Sequence, residues 1–129
     1  AKEHYDKGVT AAMKMLKQIY PASTAITDAQ ISTFLTGVGA YDASKGWEMC
    51  MNEYWKATVL NEYEAYANWR RTGYPTLTPT KHPNSETNGQ IMRRMIYPGG
   101  EASTNAENYA AAVARQGADD WMTRMWWDK

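Results

Sequence analysis

The chain has 129 residues, enough for one core, and its 14 basic and 14 acidic side chains leave a formal charge of zero. That balance excludes the broad positive field that nucleic acid or an anionic lipid surface would need, and no apolar run approaches the roughly 20 residues that span a bilayer. The single cysteine, Cys50, excludes an internal disulfide and a multi-cysteine metal knot, while nine Tyr and six Trp against one Phe favour surfaces that are both sticky and wettable, sugar sites included.

Tyr5, Val9, Met13, Leu16 and Tyr20 recur at steps of three and four, which predicts an amphipathic helix from Lys2 to Tyr20 with one buried stripe, stopped by Pro21. Thr27-Asp28-Ala29-Gln30 has the form of a capping box, with Ile26 and Ile31 placed as its hydrophobic staple. A short helix from Asp28 to Thr36 should follow and end at Gly37 or Gly39. From Ser44 to Leu60 the apolar positions Trp47, Cys50, Met51, Tyr54, Trp55, Thr58 and Val59 cover more circumference than one contact face needs. This predicts a sandwiched helix with Cys50 as a buried, slow-reacting thiol.

Another helix, Glu62 to Thr72, carries Tyr66 and Trp69 on one side and ends in Arg70 and Arg71, where cations complement the helix dipole. Gly73 stops it, and Tyr74-Pro75 sends the chain on in extended form. From Leu77 to Gly100 the composition turns to Pro, Thr, Asn and Gly, and the apolar strip Ile91 to Tyr97, split by Arg93 and Arg94, allows one strand at most. Thr104 with Glu107 makes a second capping box, opening a helix through Tyr109, Val113 and Arg115 that Gly117 ends. The aromatic tail, Trp121 to Lys129, should be docked; Trp126 and Trp127 are neighbours that face opposite sides in extended chain, so at least one is anchored. The fold class is mainly α, with long ordered loops and at most a short β element.

Catalytic and metal chemistry find little to work with. A glycosidase needs two carboxylates about 5 to 9.5 Å apart, according to mechanism. Glu62 and Glu64 diverge on their helix, Asp119 and Asp120 are adjacent and point apart, and Glu48 with Asn52 supplies one carboxylate. His4 and His82 are the only histidines and stand far apart without a second cysteine, so neither a zinc site nor a Cys-His nucleophile is expected. Gly37-Val38-Gly39 lacks the preceding strand and third glycine of a dinucleotide loop and reads as a helix stop. No catalytic residue, metal ligand or cofactor is assigned.

Four collinear segments resemble the SusD/RagB family, specifically its SusD-like nutrient-binding lipoproteins. Trp69-Arg70-Arg71-Thr72-Gly73-Tyr74-Pro75 looks like that family's W/Y-R-R-T-G-Y-P segment, and Trp47 to Leu60, with Tyr54-Trp55-Lys56 at its centre, resembles its long aromatic helix. Arg93-Arg94-Met95-Ile96-Tyr97-Pro98, followed by Asn105-Ala106-Glu107-Asn108-Tyr109, is similar to "RRLPYP" and "NPENY", and Trp126-Trp127-Asp128-Lys129 resembles the "WWDK" chain end. The resemblance implies that residues 1–129 are the C-terminal part of a SusD-like domain, with the tetratricopeptide-rich N-terminal part and the lipobox cysteine absent from this stretch. The start at Ala1, without an initiator Met, reads as a processed or excised piece.

The resemblance further implies a non-catalytic receptor, lipid-anchored in the full-length protein at the extracellular face of the outer membrane. Such a receptor captures glycans or related nutrients and delivers them to a SusC-like TonB-dependent transporter, with the N-terminal part of the same protein as a further partner. The alternative is a structural module that scaffolds the receptor and docks the transporter while the ligand site lies elsewhere. Arg70, Arg71 and Gly73 are accounted for by helix-end chemistry. The loop-proximal rings Tyr41, Tyr74 and Trp121 are the ligand candidates, each with ordinary packing as its other reading. Apolar stripes on three helices also predict a contiguous exposed patch unless something outside these residues covers them.

Overall fold

The computed structural model describes residues 1–128, and Lys129, the last letter of the tail motif, lies outside the described residues. Six α-helices and one 3-10 turn make up the regular structure among them, with no strand, so the mainly α reading holds. The chain divides into two compact units, Ala1–Trp69 and Arg70–Lys129.

In the first unit α1 (Lys2–Ile19) lies against α2 (Asp28–Thr36) and α3 (Gly46–Ala57). Among these three helices the buried side chains are Tyr5 and Val9, four apart on α1, and Ile31 of α2, and burying an aliphatic side chain such as Val9 or Ile31 contributes about 1.5 to 3 kcal/mol of transfer free energy. Tyr5 also donates from its hydroxyl to the Gly39 carbonyl at 3.1 Å, which satisfies the one polar atom on an otherwise apolar side chain. Burial, with the nearby Glu53 carboxylate, pushes that phenol above the ordinary tyrosine value. The stripe expected to be buried along all of α1 is buried only in its first half; Leu16, Ile19 and Tyr20 are exposed.

α2 begins as its sequence dictates. The Thr27 hydroxyl accepts from the Gln30 amide at 3.2 Å, and the Gln30 side chain accepts from the Thr27 amide at 2.9 Å. Ahead of α3 the Asp42 carboxylate accepts from both the Ser44 hydroxyl (2.7 Å) and the Ser44 amide (2.8 Å), which holds its carboxyl below the usual range and fixes the turn. Gly46, the first residue of α3, is buried because the Tyr41 hydroxyl occupies the space where a Cβ would stand. α3 ends at Ala57, short of the expected Leu60, and is not sandwiched among the described residues: Trp47 and Tyr54 on it and Val59 and Leu60 just past it are all exposed, and Cys50 is half-buried rather than buried. A wide apolar arc fixes how much surface must be covered, while the covering element has to come from somewhere else in space. α4 (Glu62–Thr72) has the expected bounds, stacks Tyr66 on Trp69, and receives a hydrogen bond at Glu64 from the Tyr54 hydroxyl at 2.7 Å.

The second unit is mostly irregular chain around two helices, α5 (Glu101–Thr104) and α6 (Ala106–Gln116). Gly73 takes φ +77 and Gly117 takes φ +91, the left-handed conformations that helix exits require. The second capping box does not form. Thr104 is the last residue of α5 and its hydroxyl donates back to the Gly100 carbonyl at 2.8 Å, so Asn105 takes the N-cap position of α6 instead, its side-chain oxygen accepting from Asn108 Nδ2 rather than from a backbone amide. Local competition for the same hydroxyl decided the matter. The strip from Ile91 to Tyr97 forms no strand either, because the amides of Arg93 and Arg94 both converge on one carbonyl, that of Trp121, at 2.7 and 3.3 Å.

Candidate functional site

Four arginines, Arg70, Arg93, Arg94 and Arg124, and two aspartates, Asp119 and Asp128, organise the second unit. Arg70 donates from Nη1 to the Arg93 carbonyl at 2.6 Å and lies over the Trp127 ring, 4.5 Å from its centroid. Arg93 in turn donates to Asp128 Oδ1 at 2.9 Å, and Arg124 donates to the same oxygen at 3.5 Å. The Asp128 side chain is 0% exposed, a burial a carboxylate sustains only with charged donors around it. Asp119 is a second hub. Its Oδ1 accepts from the buried Arg94 at 3.4 Å and from the Tyr97 amide at 3.1 Å, and its Oδ2 accepts from the Tyr109 hydroxyl at 3.2 Å. Desolvation, and then the bond to that carboxylate, push the Tyr109 phenol above its ordinary value. Its neighbour Asp120 turns away to the Met122 amide at 2.7 Å, so the adjacent acids serve different donors, as their spacing predicts.

The ligand candidates fall in different places. Tyr41 belongs to the first unit, tilted against Tyr5 with ring centroids 5.4 Å apart and its hydroxyl in the niche of Gly46. Tyr74 is half-buried just past α4 and donates its amide to the Thr72 hydroxyl at 3.2 Å. Trp121 is half-buried, its carbonyl held by two amides and its indole N–H donating to Glu86 at 2.7 Å. Of the two candidates in the second unit, Trp121 has a charged partner with solvent access. Glu86, Asp119 and Asp128 carried little local signal, because Glu86 meets Trp121, Asp119 meets the Tyr97 amide and Asp128 meets Arg93 across 22 to 35 residues of chain.

The first unit offers a different feature, a groove of about 680 Å³ between α1 and α3. Met13, Leu16 and Ile19 line one wall, Cys50, Met51 and Tyr54 the other, and Val59, 63% exposed, also lines the groove. Among the described residues no helix is long and apolar enough to cross a membrane, and no three His, Cys, Asp or Glu side chains gather as a metal site would require.

Residues 1–98 match the model of the SusD-like family described as "starch-binding associating with outer membrane". The chain belongs to the SusD-like family. Among solved structures this SusD-like chain is similar to a chitin-binding protein, with 36% identity, a TM-score of 0.84, and coverage of 98% of this chain and 28% of the other. It is also similar to a Bacteroidetes AC2a SusD-like protein, with 29% identity, a TM-score of 0.87 and coverage of 100% and 26%. A third relative is a SusD homologue from Bacteroides fragilis, with 27% identity, a TM-score of 0.77 and coverage of 97% and 29%. The SusD-like chain therefore spans little more than a quarter of the length of each of these relatives. No curated protein matches it.

Proposed function

We propose that this chain takes part in non-catalytic glycan capture at the extracellular face of the outer membrane, as the C-terminal part of a longer, lipid-anchored receptor that hands its ligand to a SusC-like TonB-dependent transporter. The family match over residues 1–98 carries the proposal, supported by a 36% identical relative named for chitin binding. Tyr41, Tyr74 and Trp121 are the rings proposed to meet ligand, since a pyranose presents C–H faces that stack on aromatic surfaces while its hydroxyls seek planar polar partners.

A second reading is favoured by the groove between α1 and α3. An exposed apolar trough of this kind marks a surface for protein contact, which suits a scaffold that docks the N-terminal part of the receptor or the transporter. Titration of the chain against starch-derived and chitin-derived oligosaccharides separates the two. Saturable binding supports glycan capture by these residues; a folded, helical chain that saturates with no glycan leaves only the scaffold role.

A further inference from the structure

Trp121 is held more firmly than an aromatic side chain on irregular chain needs for packing alone. Its carbonyl accepts from the amides of Arg93 and Arg94, and its indole N–H donates to Glu86 Oε2 at 2.7 Å, so backbone and ring are both pinned while the side chain stays half-exposed. Glu86 stands on an ordered turn. The Asn88 amide donates to the Ser85 carbonyl and the Gln90 amide to the Thr87 carbonyl, both at 3.1 Å, and the Ser85 and Thr87 hydroxyls meet at 3.0 Å. The carboxylate is exposed, and among the described residues it has no cationic partner and no hydrogen bond on Oε1. A fixed ring beside a fixed, unneutralised acceptor is a preorganised recognition element, because the cost of ordering it has been met in the fold.

We infer that Trp121 and Glu86 form a glycan subsite in which the indole face stacks on a pyranose ring and the carboxylate selects uncharged sugars over uronic acids. The inference rests on the glycan-capture reading and adds to it a platform, a specificity residue and a ligand class. The free Oε1 accepts from a hydroxyl or an amide N–H of a neutral or N-acetylated sugar. A uronate carboxylate brought to about 4 Å from Glu86 meets like charge, and at such a partly exposed site the penalty is about tenfold in affinity. Salt screens that repulsion, so the discrimination should shrink as ionic strength rises.

The test titrates the full chain with maltoheptaose, chitohexaose and hexagalacturonate, alongside Trp121→Ala, Trp121→Phe and Glu86→Gln. Expected are binding of a neutral oligomer, a loss of about tenfold or more in Trp121→Ala, retention of most affinity in Trp121→Phe, and entry of hexagalacturonate in Glu86→Gln with neutral binding kept within about threefold. If Trp121→Ala loses its helical spectrum, entry of hexagalacturonate in Glu86→Gln decides the matter. Neutral binding that none of the three variants alters overturns the subsite, and continued exclusion of hexagalacturonate by Glu86→Gln overturns the charge selection. If the parent chain saturates with none of the probes, glycan capture itself fails and the subsite falls with it.

Discussion

The two units of this chain solve the same problem with different forces. Ala1–Trp69 is built from helices whose apolar faces meet, and it is left with more apolar surface than it covers: Leu16, Ile19, Val59 and Leu60 stay in solvent. Arg70–Lys129 has little regular structure and few carbonyls or amides paired in ladders, so its loops are tied by guanidinium and carboxylate groups, above all Arg94 with Asp119 and Arg93 with Asp128. Hydrophobic contact is non-directional and tolerates a missing neighbour at the cost of an open face. Charge-assisted hydrogen bonds are directional, and a buried one tolerates no missing partner.

Breaking a hub is the sharpest way to test that contrast. Asp119→Ala strands the buried Arg94 guanidinium and removes the acceptor of the Tyr97 amide and the Tyr109 hydroxyl, and it should cost about 3 to 5 kcal/mol in denaturant unfolding. The loss should fall on the second unit while exchange protection in α1 and α3 persists; a melt indistinguishable from the parent would refute the hub. Next in size is the paired tail. Trp127→Ala gives up the Arg70 contact and should cost about 2 kcal/mol, whereas Trp126, 93% exposed, should be replaceable by Ala within about 0.5 kcal/mol. Equal effects at the two positions would contradict the placement of the tail.

In the first unit a single hydrogen-bonding cap is worth less. Thr27→Ala should cost about 1 kcal/mol through loss of the capping box, with the change confined to the start of α2 in amide exchange. The smallest effect on stability is expected in the groove. Leu16→Glu replaces an exposed apolar side chain, so the melting curve should shift by no more than about 0.5 kcal/mol. The same substitution should reduce hydrophobic-dye binding and the concentration dependence seen in sedimentation. A parent chain that is monomeric and silent to dye at all concentrations would show that the groove is not a contact surface.

What could be read in advance divides along the same line. The Thr27/Gln30 box, the Arg-Arg-Thr-Gly exit of α4 and the glycine that ends α6 act within a few residues, so the order of amino acids carries them in full. Thr104 looked like an equally good cap and was not one, because a carbonyl four residues back claimed its hydroxyl. The excess apolar arc of α3 was legible as excess, yet its openness was not, since burial depends on which element arrives opposite. Trp121 stood out as a ring near a loop, but nothing near it in the chain pointed to Glu86, 35 residues away.

Sequence alone therefore determined five of the six helices among the described residues, α5 excepted, most of their ends and the family, because these rest on short-range periodicity, caps and motif order. Only the tertiary structure decided which carboxylate meets which guanidinium, which half of the α1 stripe is covered and which ring is pinned beside an acid. Those pairings join residues far apart in the chain, and the energy that selects them exists only once the intervening loops have closed.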